Sequence, residues 1–557
     1  MNDVRWSRIA VVLTAGTAIV SPLLLLLYQS LLDGPFFQPS AKPSLDAFRF
    51  VFADADFHRA FATTAAVAVG MTAIAVPLGS VLAFLLVRTD LPCKSWVEPL
   101  VLSPVFLSPV VLGFGYVVSI GPVGFLTLWV QRAFASASWN LYSLPSLILI
   151  AGLTHIPYVY LYTSASLRAL APDLEEAASV AGAGAARIAF TVSLPMVWPS
   201  ILYSGVLVFF LGFEIFGLPL ILGDPGGLLV LSTYLYKLTN RLGVPSYQLM
   251  AVVAVAICAI AFPLVYLQRR LLGIAGRFVS IRGKGLASRP LPLGGLRAPA
   301  LALVLVWLVA TVLVPLSGVF LRAFVGSWGE GVRLTEVLTL EHFRELLEYP
   351  NLVRGMVNTL AVGVIGGAFS VAGYAVLGLT SHRWRSVWAR IIDYLVMVPR
   401  GMPGLVAGLA FLWIFLFVKP LRPLRGTLVS VWLAYSVVWL AYGMRLISGA
   451  LAQVGPELEE AGLVVGASPA KVTRDVTLPL IRFGLLGSWL LVFLIFVREY
   501  STGVYLLGPG TEVIGSLIVS LWATGAIDTV AALSVVNVLL VAGGLAVALR
   551  LGVRPHG

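Results

Sequence analysis

Along the chain, apolar runs of about 20 residues alternate with short polar segments, and a membrane-crossing helix needs a run of that length. Lipid tolerates only helices or closed barrels, because every backbone N–H and C=O must be satisfied within the protein. Barrel strands would alternate apolar and polar residues over short segments, whereas these runs are continuous. The pattern predicts six spans at 9–32, 61–87, 97–120, 143–165, 197–222 and 249–268. Six more follow at 299–322, 356–380, 391–418, 426–448, 483–507 and 530–551. Two apolar segments, "LLVLSTYLYKL" and "IGSLIVSLWATG", are too short to cross. Each follows a Pro-Gly turn, in "GLPLILGDPGG" (217–227) and "GVYLLGPGTEV" (503–513), and is expected to dock at the outer mouth.

The polar segments repeat. "PDLEEAASVAGAGAARIAFTVSLPM" (172–196) aligns with "PELEEAGLVVGASPAKVTRDVTLPL" (456–480) at an offset of 284, with twelve of 25 positions identical. Weaker echoes pair "SPVFLSPVVLGFGYV" (103–117) with "VPRGMPGLVAGLAFL" (398–412), and "FATTAAVAVG" (61–70) with "MVNTLAVGVI" (356–365). Each half holds an even number of spans, so the halves share one orientation, a parallel duplication of the kind found in transporters. The expected organisation is a first six-helix half (1–268), a linker (269–298) and a second six-helix half (299–557).

Composition agrees with this all-α membrane reading: 59% of the 557 residues are hydrophobic and 11% are charged. Two cysteines, Cys93 and Cys258, cannot build a disulfide framework. The net charge of +12 is a matter of topology rather than of nucleic-acid binding. With the N-terminus in the cytoplasm, basic residues outnumber acidic ones about two to one in the inner segments and roughly balance them outside. "VKPLRPLRG" (418–426) goes against this trend, with three cations on the outer side. The linker carries seven Lys and Arg and no acid, which suits contact with anionic membrane lipid. The N-terminal run follows Arg5 and Arg8 and is too long for a signal peptide's apolar core, so it is expected to be the first span.

The repeated stretch lies between the fourth and fifth spans of each half, on the expected cytoplasmic side. Pro172 and Pro456 suit a first helical position, which needs no N–H. Asp173, Glu175 and Glu176, and Glu457, Glu459 and Glu460, crowd the first turns, where the helix dipole favours negative charge. Gly182 and Gly466 are expected to end the short helices in a left-handed turn. Leu194-Pro195 and Leu478-Pro479 then lead into the next span. One such helix is read equally well as a capped loop. Two at matched places suggest a docking surface for a partner that is itself a dimer.

The spacing is Glu-Ala-Ala, three residues, Gly, nine residues, an aliphatic residue, any residue, Leu-Pro. Glu176, Ala177, Ala178, Gly182, Val192, Leu194 and Pro195 match it, as do Glu460, Ala461, Gly462, Gly466, Val476, Leu478 and Pro479, with Gly462 departing at the third position. This resembles the signature loop of the permease subunits of binding-protein-dependent ABC importers. The resemblance extends over roughly 55–272 and 350–552, and implies a type I importer permease fold with two permeases fused in one chain. It further implies that Glu175–Gly182 and Glu459–Gly466 act as coupling helices, each engaging one of two copies of a separate ATPase. It implies a periplasmic substrate-binding protein as the second partner, and an inner-membrane location with both termini cytoplasmic. No phosphate-cradling loop occurs in the chain, since "RGKGL" (282–286) lacks both the Ser/Thr and the upstream Gly. ATP is therefore expected to be used by the partner, and no cofactor to be bound by this chain. The outer segments resemble those of fused ferric iron permeases, with thiamine, polyamine and aminoethylphosphonate permeases as relatives.

Ionisable residues within spans are costly and usually functional. Glu214 and the Arg498–Glu499 pair are expected inside the fifth span of each half, and the offset of 284 sets Glu214 on Arg498. They either line the translocation path, with Tyr500, or form a salt bridge locking the halves. Five histidines show no metal-ligand spacing. His155 is expected to be packed, and His58 and His342 solvated. A twelve-helix secondary transporter is the alternative class, and it leaves the doubled acidic stretch without a purpose.

Overall fold

The computed structural model describes residues 2–134, 139–240, 246–275, 290–327, 336–384 and 386–551. Residues 276–289 of the basic linker expected at 269–298 lie outside them. The described residues are helical, with three isolated β-bridges and no strand. Among the described residues, nine helices are long and apolar enough to cross a membrane, or up to twelve if three bent pairs each count as one span.

In chain order, α1 is Asn2–Ser30. The first half continues with α2 (Ala55–Arg88), α3 (Lys94–Phe106), α4 (Pro109–Ile120), α5 (Leu144–Ala169), the short α6 (Asp173–Val180) and α7 (Trp198–Glu214). It closes with the ten-residue α8 (Leu231–Asn240) and α9 (Tyr247–Ala275). After α10 (Gly294–Ala323), the second half repeats the order: α11 (Pro350–Ser381), α12 (Val387–Leu395), α13 (Gly404–Phe417), α14 (Leu428–Val438), α15 (Leu440–Ala452) and the short α16 (Pro456–Val464). Then follow α17 (Leu478–Arg498), the ten-residue α18 (Ile514–Ala523) and α19 (Ile527–Arg550).

Several expected straight spans are broken, and side chains explain the breaks. The expected span 97–120 is two helices, because Pro109 has no N–H to continue α3 and holds Ser108 extended at ψ 131°. Its counterpart bends by 105° between Val387–Gly401 and α13, with Pro403 at ψ 146°. In the first half the fifth span bends by 75° at Val197, where Pro199 cannot donate to the carbonyl four residues back. The aligned residue is Phe483, and Pro469–Arg498 runs unbroken there. The 59° bend between α14 and α15 has another cause. The Ser436 carbonyl, which would accept from Leu440 in an unbroken helix, takes the Tyr374 hydroxyl at 2.6 Å.

The chain divides into two compact units. One comprises Met1–Phe48, Ser246–Cys258 and Glu341–Gly557; the other comprises Arg49–Pro245 and Ala259–Leu340. Each unit therefore takes its first long helix from the other half of the sequence. Within the first unit, Ile19 joins a core of second-half residues that includes Phe411, Tyr435 and Val492. The Arg8 guanidinium also lies 5.5 Å above the Trp384 ring. Within the second unit, α10 meets α4 through small residues: a Cβ on Gly115 would lie 2.4 Å from the Pro315 carbonyl oxygen. The Tyr116 and Ser119 hydroxyls donate to the Ala310 and Val314 carbonyls at 2.9 and 2.6 Å. Close backbone approach and polar bridges are how helices associate in lipid, where the hydrophobic effect gives little preference.

Candidate functional site

Both repeated stretches form short helices ended by glycine. In α6, Gly182 takes φ +84° and donates to Ser179, and Ala183 donates back to Ala178. In α16, Gly466 takes φ +83° and donates to Leu463, and Ala467 donates to Gly462. This bonding pair, closed by a left-handed residue, is the Schellman termination. A π-turn follows in each, at Ala189–Ser193 and Thr473–Thr477, just ahead of Leu194-Pro195 and Leu478-Pro479. The wider turn accommodates a proline that has no N–H to donate and whose ring crowds the carbonyl four residues back.

The two glutamates of each stretch part company. Glu176 and Glu460 are exposed, as are Ala177 and Ala461, while Ala178 and Gly462 are half-buried. Gly182 and Gly466 are also exposed. Glu175 and Glu459, by contrast, are only 2% and 9% exposed. The Ser193 hydroxyl donates to Glu175 Oε1 at 2.6 Å, and Arg88 Nε lies 3.3 Å from the same oxygen. The Thr477 hydroxyl donates to Glu459 Oε1 at 2.7 Å, and Arg383 Nε pairs with Oε2. His382 Nε2 stands 3.1 Å from Glu459 Oε1. Burial works to raise the Glu459 carboxyl. The Thr477 and Arg383 hydrogen bonds, with the charges of His382 and Arg383, outweigh it and hold the carboxyl below the ordinary carboxylate value.

Hydrophobicity is inverted here. The neighbours Leu174 and Leu458 are 54% and 51% exposed, and Val180, Val464 and Val465 are 90%, 86% and 83% exposed. A short helix that buries its acid and offers its valines has an outer face suited to being covered. The sequence reading missed Arg88 and Arg383. They stand at the ends of α2 and α11, about 80 residues upstream of their partners. The signal was nonetheless present: the offset of 295 that relates 61–70 to 356–365 sets Arg88 on Arg383.

Glu214 and Arg498 are the last residues of α7 and α17, so the aligned pair closes aligned helices. Both spans were expected to run on, to 222 and 507; each instead ends here in extended backbone, at Ile215 (ψ 127°) and Glu499 (ψ 136°). At the second end the cause is visible: Glu499 Oε1 accepts from the Ser501 hydroxyl at 2.6 Å and from the Thr502 N–H at 2.9 Å. Tyr500 is buried. The loop lies close on α13, where a Cβ on Gly408 would sit 2.1 Å from the Thr502 carbonyl oxygen. Beyond each end come the two short apolar segments, present as α8 and α18. Their first N–H groups are capped alike, Leu231 by the Thr64 hydroxyl at 2.8 Å and Ile514 by the Thr359 hydroxyl at 2.9 Å.

The histidines divide. His155 Nδ1 is 2.7 Å from the Ala151 carbonyl oxygen and His58 is exposed, but His342, expected in solvent, is 7% exposed. Among the described residues, no group of three or more His, Cys, Asp or Glu is placed to hold a metal ion.

Comparison with known proteins decides the family. The model of the family described as "Binding-protein-dependent transport system inner membrane component" matches residues 55–272 and again 374–553. The chain belongs to this family. It is a multi-pass inner-membrane protein that carries the family's domain twice in one chain. The chain is 23% identical over 421 residues, 74% of its own length, to a putative ferric transport system permease protein of Haemophilus influenzae. That match spans 64% of the relative's length, so about a third of the relative has no counterpart in it. It is 28% identical over 229 residues to a putative 2-aminoethylphosphonate transport system permease protein of Salmonella paratyphi A, covering 41% of this chain and 83% of the other. Among solved structures, a bacterial ABC transporter importing alginate matches 46% of this chain and 96% of its own, with TM-score 0.37 and 18% identity.

Proposed function

We propose that the permease carries ferric iron across the inner membrane, driven by two copies of a separate ATPase and supplied by a periplasmic binding protein. The observation that carries the ATPase part is the matched exposure of the two short helices. Glu176 and Glu460 stand free on α6 and α16, beside valines about nine-tenths exposed. Each face would enter one ATPase protomer from the cytoplasmic side, and ATP-driven closure of the dimer would move both short helices. Ala177, Ala178, Gly182, Ala461, Gly462 and Gly466 keep the approach small-sided. The bundle would alternate between outward- and inward-facing states. The proposed path residues are Glu214 at the end of α7 and Arg498, Glu499 and Tyr500 at the end of α17. The likeness to a ferric permease supports iron as the cargo; polyamines and aminoethylphosphonate are alternatives that other relatives suggest. The loaded binding protein would release its cargo on the outer side.

The test replaces Glu176 and Glu460 together by lysine and follows ATPase capture and uptake of radiolabelled ferric iron. Joint loss of both is expected. Uptake that survives the double substitution and collapses with a protonophore would instead make the chain an ion-driven transporter.

A further inference from the structure

We propose that the buried first glutamate of each repeat, Glu175 and Glu459, is a positioning residue: a charge latch that fastens the short helix to the end of the second long helix of its half. The latch rests on the coupling role proposed above for α6 and α16 and gives that role a route into the bundle.

Recurrence is the first argument. The carboxylate partners follow one offset: Glu175 and Ser193 become Glu459 and Thr477, 284 residues on. Each arginine makes the same pair of contacts. Arg88 reaches Glu175 and donates from Nη2 to the Leu170 carbonyl at 2.8 Å; Arg383 reaches Glu459 and donates from Nη2 to the Val454 carbonyl at 2.7 Å. Leu170 and Val454 are again 284 apart, although the side chains differ. Serine has become threonine with its hydroxyl kept. The interactions have thus been retained while their surroundings changed.

Geometry is the second argument. Arg88 is the last residue of α2, and its side chain is 4% exposed. Arg383 adopts φ +53°, a region a non-glycine residue rarely occupies. It is held there by a carboxylate and a carbonyl. Each arginine thus ties three elements: the second long helix, the turn before the short helix, and the short helix itself. The exposed Glu176 and Glu460 take no part. A push on α6 therefore reaches α2 through a buried ion pair, and a push on α16 reaches α11 through a pair whose carboxylate is buried and whose arginine is partly exposed. Parting either leaves a buried carboxylate without its charged partner, which resists stretching more than apolar packing does.

The experiment places spin labels at Asp173 on α6 and Val69 on α2, both exposed, in the full chain in lipid nanodiscs. The chain alone, with Glu176→Gln or Ser193→Thr, should give one narrow distance distribution, as the unaltered protein does. Glu175→Gln should broaden it about twofold, and Ser193→Ala by less, since it removes one hydrogen bond and no charge. With the ATPase, ATP and vanadate, the distance should hold constant in the latched protein and shift in Glu175→Gln, while ATPase capture stays within about twofold. An unchanged width in Glu175→Gln and Ser193→Ala overturns the latch. ATPase capture falling in Glu175→Gln as far as in Glu176→Gln overturns it too, because Glu175 would then only shape the docking face. If Glu175→Gln does not accumulate, the Ser193→Ala and Ser193→Thr pair decides. Because the first arm uses the chain alone, it fails or succeeds independently of the ATPase proposal.

Discussion

Replacing Val180 and Val464 by serine isolates the docking face from everything else in the molecule. The two valines occupy the same position in the last turn of α6 and α16, and are 90% and 86% exposed. Neither packs on its own chain, so the stability of the permease should change by less than about 0.5 kcal/mol. Covering a valine side chain completely is worth about 1.5 kcal/mol at the lower end of the usual range, close to a factor of ten in affinity. Each single substitution should therefore weaken ATPase binding about tenfold. The double substitution should weaken it about a hundredfold, since distant sites on one bivalent partner add. The assay is equilibrium binding of the purified ATPase to the permease in nanodiscs, with thermal unfolding of each variant as the control. A change below about twofold in the double variant, at unaltered thermal stability, would show that these faces stay in water and that the short helices are not the docking site.

Further expectations concern single contacts. Glu499→Gln removes a charged acceptor from Ser501 and Thr502, and should cost about 1–3 kcal/mol in thermal or denaturant unfolding. Gly408→Ala should cost at least as much, because the added methyl meets the Thr502 carbonyl oxygen at 2.1 Å. Gly182→Ala and Gly466→Ala meet nothing within 4 Å, so their cost is backbone strain alone, about 1 kcal/mol each; asparagine should cost less at the same positions. Glu459 titrates below the ordinary carboxylate value when folded. Its stabilising contribution is therefore full above the unfolded value of about 4.5 and is lost only as pH falls through the lower folded value. A distance measured between labels on Val464 and α11 should not change between pH 7 and pH 5, and broadening within that window would contradict the pairing.

Much of this was legible in the sequence, for reasons that differ from element to element. The spans were readable because lipid demands long apolar runs, and the short helices because proline, acid and glycine mark their ends at fixed spacing. The broken third spans were marked by Pro109 and Pro403, though hydropathy alone joined the pieces. The bend after Trp439 carries no proline or glycine; it arises from the Tyr374 hydroxyl, which lies 62 residues away from the carbonyl it takes. The grouping of α1 with second-half helices left no trace in hydropathy, because in lipid an apolar face does not reveal which neighbour it will meet. The burial of Glu175 and Glu459 was hidden as well. Sequence pattern places acids in water, and only the distant arginines and hydroxyls make their burial tolerable. Glu214 and Arg498, set on each other by the repeat offset, terminate helices where the apolar run carries on.

The most direct measurement is native mass spectrometry of the permease released from its own membrane in mild detergent. The account predicts one copy of this chain with two copies of an ATPase, and loss of both copies together when Glu176 and Glu460 are replaced by lysine. A chain recovered alone after crosslinking, with transport intact, would contradict it.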